Sequence, residues 1–491
     1  MILPTFIIIP LLAAFLIVLC GGRRDRAGVL IGGAAAAALA ALSVVAFING
    51  RGEAAVYVMG AWKVPLGISL VLDPLSSLML VMVSLITLTS LLYSVAYIRR
   101  LEGEGKYYAL LMILVAGMNG VILTSDLFNL FVFMEIALFA AFALVAYGGR
   151  AQEYEAAFKY AVMGSISSSL ILFAIAVVYS STSALSMSTI AAILPQRDPV
   201  LTLWAGGLFL AGFGLKAAVM PFHAWLPDAH SSAPAPISAM LSGVLIKALG
   251  IYALIRVFYN VLGAPPVFLQ AFLVLGAVSM TVGVLLAIGQ WDIKRLLAYH
   301  SISQIGYILI GMGLGTTLGM AGALFHLFNH AVFKSLLFYN AGALETALGT
   351  RDLRAMGNVT RLLPITARTS MVASLSISGL PPFNGFFSKL VIILAALQAG
   401  QPVFAGLAVV GSLLTLASFM KVQRYGLRSE RPAGALQAKV SWGMNAAMVV
   451  LAVLCVATSL MIVPGIRETI LDPAVRVVME KARVWTAVFG K

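Results

Sequence analysis

Apolar runs close to 20 residues long alternate with short polar breaks along the whole chain. They fall near residues 2–20, 28–48, 73–98, 107–124, 126–147, 157–180, 202–222, 236–260, 267–289, 299–315, 318–344, 367–399, 402–423 and 441–464. A helix of such length crosses about 30 Å of hydrocarbon. The pattern therefore predicts an all-α polytopic membrane protein with about fourteen transmembrane helices, and an even number of crossings leaves both termini on one side.

Composition agrees. Of 491 residues, 61% are hydrophobic and 10% charged, against roughly a quarter charged in soluble chains. This excludes a water-soluble enzyme and argues for one membrane domain. The net charge of +14 comes from short basic clusters between apolar runs, which suits topology and gives no case for nucleic acid. Alternate loops divide the basic residues nineteen to three: Arg23, Arg99, Arg150, Lys294, Arg351 and Lys421 mark the rich set, and Arg51, Lys63 and Arg197 make up the poor one. Basic loops stay cytoplasmic, so the chain is expected in a cell or inner membrane with both termini outside. The tail beyond Pro464, with Arg467, Arg476, Lys481, Arg483 and Lys491, runs against this, and a surface amphipathic helix would account for it. The first 20 residues lack a basic n-region and a small-residue cleavage site, as expected of a retained first span.

Cys20 and Cys455 stand alone in apolar stretches, so no metal, iron–sulfur or disulfide framework is expected, and the chain is read as carrying no cofactor. Several ionisable groups, by contrast, lie deep in apolar runs: Glu135, Lys216, Lys247, Lys389, and His326, His330 and Lys334 at four-residue spacing on one helix face. Each costs about 2.5–3.5 kcal/mol to insert at mid-bilayer. Glu135 and Lys216 can offset one another, either as a static tie or as a working pair. The lysines outnumber the central carboxylate, and an unpaired amine in a dry site loses its proton more readily than in water, as a proton relay requires. The two histidines could be read as a metal pair, but HLFNH lacks the Glu of HExxH and a third ligand; a proton wire, a water-bonded pair or an interhelical contact are the other readings.

Helix breakers stand beside two of these lysines: Pro221 follows Lys216, and Gly379, Pro381, Pro382 and Gly385 precede Lys389. Broken backbone at membrane depth is tolerated where it is buried in protein or lines a wet cavity. Residues 221–241, with His223, Asp228 and His230, read as a polar loop, either a gate at the membrane surface or a rigid linker. Residues 155–165 resemble 330–340, aligning Lys159 with Lys334 at an offset of 175. The resulting division is an N-terminal three-helix segment (1–106), a first repeat (107–260), a second repeat (261–425) and a C-terminal helix and tail (426–491).

The stretches SDLFNLFVFMEI (125–136), LKAAVMPFHAWLPDAHSSAPAPISAMLSGVLIKALG (215–250), IKRLLAYHSISQIGY (293–307), FHLFNHAVFKSLLF (325–338) and SGLPPFNGFFSK (378–389) resemble the antiporter-like, proton-translocating subunits shared by Mrp-type cation/proton antiporters, respiratory complex I and membrane-bound hydrogenases. The resemblance covers nearly the whole chain. It implies fourteen helices in two inverted five-helix repeats with broken seventh and twelfth spans. It assigns Glu135 and Lys216 to a coupled ion pair, Lys247 to a bridging role, His326 and His330 to a central relay, and Lys389 to proton release. Lysine at 389 resembles the D-type subunit of Mrp antiporters and the N-type subunit of complex I, where the M type has Glu. The family's largest members carry a long lateral-helix extension, which this 491-residue chain is not expected to have.

The resemblance further implies other membrane subunits as partners and protons, or sodium ions, as cargo. The rival readings are a proton-pumping subunit of an NADH:quinone oxidoreductase, a solute transporter with its site at the repeat interface, and a purely structural subunit. No nucleophile–base or metal constellation points to catalysis within the chain.

Overall fold

A computed structural model describes residues 2–20, 26–50, 54–62, 67–101, 103–429 and 439–480. The clusters at Arg23 and Arg24, at Arg51, Lys63 and Arg431, and the tail residues Lys481, Arg483 and Lys491 lie outside them. The first helices are α1 (Thr5–Cys20), α2 (Arg26–Asn49), α3 (Pro74–Tyr97), α4 (Glu104–Leu123), α5 (Leu127–Val145), α6 (Ala151–Thr182), α7 (Met187–Ile193), α8 (Pro199–Lys216) and α9 (Trp225–Ser232). Next, α10 (Ala235–Met240) and α11 (Ala253–Ile255) are joined by π-helical turns into one rod that ends at Val261. Then come α12 (Pro266–Ile288), α13 (Ile293–Gly313), α14 (Thr317–Leu348), α15 (Val359–Leu362), α16 (Pro364–Ser378), α17 (Asn384–Gln398), α18 (Pro402–Lys421), α19 (Trp442–Ala457), α20 (Pro464–Ile470) and α21 (Asp472–Met479).

The chain is a mostly helical polytopic membrane protein. Among the described residues ten helices are long and apolar enough to cross a membrane, and α1 and α17 are shorter apolar helices. The all-α expectation needs one amendment: β1 (Ala55–Val58) and β2 (Ser69–Leu72) pair antiparallel between α2 and α3. Asp73 then caps α3, accepting from Ser76 N while Ser76 Oγ accepts from Asp73 N, so strand and helix meet without a loop.

Several helix ends share one spacing. Leu127 and Ile293 open α5 and α13, Ala151 and Thr317 open α6 and α14, and Thr182 and Leu348 close the latter two, each pair 166 residues apart. Asp126 caps α5 and bridges to Ser186; Asp292 caps α13 and bridges to Asp352, at the same 60-residue separation. This spacing differs from the 175 suggested by aligning Lys159 with Lys334. Runs of Ala, Phe and Leu offer many chance alignments, whereas a capping Asp at a helix start is tied to backbone geometry. At 166 residues before Lys334 stands Ser168.

The rod from Ala235 to Val261 lies at the centre, buried throughout its most apolar window, whereas α2 is one-third buried. A buried ion pair pins it: Arg256 Nη2 lies 2.7 Å from Asp73 Oδ1 and Arg256 Nε donates to Tyr252 Oη. In the tail, α20 buries no residue, and α21 sets an exposed Arg476 opposite a buried apolar side. Val475, Val477 and Val478 of α21 are buried, and Asn260 Nδ2 donates to Val477 O at 2.9 Å, so its apolar face is covered by protein.

Candidate functional site

Two spans break where glycine and proline predicted. In the first, α8 ends at Lys216 and Ala218 takes a left-handed φ of 53°. Trp225 Nε1 donates to Leu215 O at 2.9 Å, sharing with Ala218 N the carbonyl at the helix end. The following polar segment is a short helix, α9, and not a surface loop; Pro227 is accommodated because it sits in the first turn. In the second, α16 ends on Gly379, with φ 77°. Lys389 Nζ, on α17, donates back to Ile377 O at 2.7 Å.

Around the first break, Lys216 Nζ donates to Ser168 Oγ at 2.7 Å and Gly164 O at 3.2 Å. It lies 3.7 Å from Glu135 Oε1. Ser168 Oγ in turn donates to the Glu135 carboxylate. Glu135 and Lys216 are thus brought together as expected, but the serine on α6 mediates the pair. Lys216 is buried, while the Glu135 side chain remains 25% exposed.

Lys247 sits on the central rod within one turn of Gly250, where a Cβ would come 2.6 Å from the Cβ of Ala217, next to Lys216. Only glycine permits this approach of the first break to the rod. From Lys247 a hydrogen-bonded chain leads into the second half. Lys247 Nζ donates to Ser242 O at 2.5 Å, and Ser242 and Ser301 share a hydroxyl bond of 2.7 Å. Ser301 Oγ donates to Leu297 O at 3.2 Å, and Lys334 Nζ donates to the same carbonyl.

Lys334, His330 and His326 line one face of α14, and the two imidazoles are parallel with centroids 6.2 Å apart. His326 Nδ1 is bonded to Ser388 Oγ at 3.0 Å, one residue from Lys389. Lys389 Nζ lies 4.5 Å from the centroid of Tyr307, whose ring is 5.5 Å from that of His326.

The three residues assigned to the polar segment separate. His230, on α9 itself, is buried with both ring nitrogens unpartnered by the described residues. Asp228 meets Lys159 at 3.0 Å and Arg295 at 3.1 Å, tying α9 to α6 and α13. His223 is half-buried and bonds the local Pro221 carbonyl at 3.2 Å; it does not reach the row of buried amines.

Sequence reasoning passed over Ser168, Ser242, Ser301, Ser388 and Tyr307, and also the fully buried His300, whose Nε2 bonds Ser418 Oγ at 2.9 Å. Both nitrogens of His330, and the side-chain amide atoms of Gln304, also find no partner among the described residues. Buried groups of this kind are normally satisfied by water, and a wet row of amines and imidazoles can pass protons. Among the described residues no group of three or more His, Cys, Asp or Glu could hold a metal.

A polytopic helical chain with a buried row of amines and imidazoles between two broken spans fits a class of ion-moving membrane subunits. Residues 124–415 match the family described as "NADH:quinone oxidoreductase/Mrp antiporter, TM", and residues 59–108 match "NADH-Ubiquinone oxidoreductase (complex I), chain 5 N-terminus". The chain belongs to this family of antiporter-like membrane subunits. It is 38% identical to NADH-quinone oxidoreductase subunit N of Desulforudis audaxviator, covering 87% of this chain and 88% of that one. To the D-type subunit of the Na(+)/H(+) antiporter of Alkalihalophilus pseudofirmus it is 36% identical, with 76% of each covered. Among solved structures, a chain of the Mrp complex from Dietzia sp. DQ12-45-1b superposes with a TM-score of 0.92 at 28% identity, over 99% of this chain and 98% of that one.

Proposed function

We propose that the chain is a proton-translocating subunit of a multisubunit membrane complex, most like the D-type subunit of an Mrp antiporter or its membrane-bound hydrogenase counterpart. Its fourteen crossings form two inverted five-helix repeats, 107–260 and 261–425, in a cell or inner membrane with both termini outside. The 166-residue recurrence of helices and capping aspartates supports that division.

The observation that carries the reading is the buried row of Lys216, Lys247, Lys334, His330, His326 and Lys389, with hydrogen bonds joining Glu135 through Ser168 to Lys216 and Lys247 through Ser242, Ser301 and Leu297 O to Lys334. Protons enter one repeat, pass along the row through water and leave by the other. Glu135 sets the switch. Paired with Lys216 it holds the ammonium charged; when the pair opens, the desolvated lysine gives up its proton toward Lys247. The quarter-exposed Glu135 is reachable by a neighbouring subunit, through which the rest of the complex acts. Redox chemistry or a cation gradient elsewhere in the complex supplies the energy.

Asp228, His223 and His230 divide into different roles. Asp228 latches α9, whose buried His230 extends the row toward Lys294, and His223 serves only the local turn. The test is Glu135→Ala in the reconstituted complex. Coupled proton movement into liposomes is expected to stop while assembly stays intact, and wild-type pumping would sink the reading.

A further inference from the structure

Between α16 and the inner end of α18 lies a lateral cavity of about 370 Å³, within the range of ligand-sized pockets. We propose that it seats one acyl chain of an anionic phospholipid whose headgroup phosphate is held by Arg424 and Arg428. The walls are Met371, Leu375, Leu416 and Met420, and Met420 is 62% exposed toward the side of the bundle. The few polar groups of the floor bond among themselves: Gln423 Nε2 donates to Ser374 Oγ at 3.0 Å, and Ser378 Oγ donates to Ser374 O at 2.7 Å. A cavity walled mainly by apolar side chains suits a hydrocarbon chain better than a polar solute.

The rim supplies the opposite chemistry. Arg424 and Arg428 line the cavity where α18 continues as a π-helical turn, Val422–Leu427. Arg368, exposed on α16 three residues before Met371 and seven before Leu375, shares their helical face. Among the described residues no carboxylate lies in ion-pair range of any of the three; Arg428 Nη2 instead approaches Met371 Sδ at 3.6 Å. Basic pockets between transmembrane helices near a membrane face bind anionic headgroups, and the charge here complements a phosphate diester.

The seat has a mechanical consequence. Phe419 lines the cavity and packs on His300 with centroids 4.8 Å apart. Ser378, also in the lining, immediately follows Ile377, whose carbonyl anchors Lys389. A lipid in the cleft therefore braces the second broken span at its lysine. The inference depends on the chain spanning a membrane and not on the transport reading.

The intact complex, extracted in mild detergent and examined by native mass spectrometry after exchange into nanodiscs of phosphatidylglycerol or phosphatidylcholine, provides the test. Wild type is expected to retain phosphatidylglycerol. Arg424→Gln with Arg428→Gln should weaken retention about thirtyfold, whereas Arg424→Lys alone should keep most of it. Leu416→Trp, which fills the cleft and leaves the arginines in place, should also displace the lipid. Equal retention of both lipids, retention unchanged by the double substitution and by Leu416→Trp, full displacement by inorganic phosphate, or a neighbouring subunit's side chain seated in the cleft would each overturn the assignment. Retention is read without transport, so an inert complex that still holds the lipid would count against the proposed function alone.

Discussion

The two broken spans solve one problem in different ways. At the first, Lys216 reaches away from its own helix to Ser168 and Gly164 on α6, with the Glu135 carboxylate 3.7 Å off. At the second, Lys389 folds back on Ile377 O of the span it belongs to and lies over the Tyr307 ring, with no described carboxylate in ion-pair range. The first lysine is held by a carboxylate that is one-quarter exposed. The second is held by a carbonyl dipole and a ring quadrupole, neither of which can be neutralised. The contrast suits a controlled site at one end of the row and a passive one at the other.

Removing either amine should have the largest effect. Lys216→Ala and Lys389→Ala are each expected to abolish coupled proton movement in proteoliposomes of the complex. Lys389→Arg should fail as fully, because a guanidinium keeps the charge but does not release a proton; an active arginine variant would show that Lys389 acts only as a fixed charge. If both alanine variants pump normally, the chain is a structural subunit.

Ser168 separates the two sites more finely. Ser168→Ala leaves the Glu135–Lys216 approach but deletes the hydroxyl between them, a loss of about 1.5–3 kcal/mol for hydrogen bonds to charged groups. Transport should slow by roughly ten- to a hundredfold, with no change in the response to substitutions at Lys389. A matched pair probes the second site: Tyr307→Phe keeps the ring and should pump nearly as wild type, whereas Tyr307→Leu loses a cation–π contact of about 0.5–2 kcal/mol and should be measurably slower. Equal rates for Phe and Leu would remove the ring from the description of that site.

The smallest effect is expected at the latch. Asp228→Asn breaks two partly exposed ion pairs, worth about 0–1 kcal/mol each. Thermal unfolding of the complex should shift slightly downward, and any change in proton entry should appear in salt dependence, since screening weakens exposed pairs.

Much of this was legible in one dimension. Helices occupy every expected apolar run, because twenty apolar residues have one stable form in hydrocarbon. The breaks appeared where Pro221 and the Gly379–Pro382 cluster stood, and the out-of-place charges named the row. The serines did not announce themselves, since Ser is common in membrane helices and only the crossing of α5, α6 and α8 makes Ser168 different from Ser167. The polar stretch after Pro221 read as a loop because proline-rich sequence in isolation does so; packing of Trp225 on Tyr160, with ring centroids 4.2 Å apart, turns it into a buried helix.

Hydrophobicity and the cost of buried charge act residue by residue. They determined from sequence alone that the chain lives in a membrane, where its apolar helices lie, and which amines and imidazoles need a reason to be there. Which groups share a carbonyl, a hydroxyl or a ring depends on contacts between residues far apart in the chain. Those were decided only when the helices packed, because a hydrogen bond acts over about 3 Å and no pattern along the chain specifies that distance.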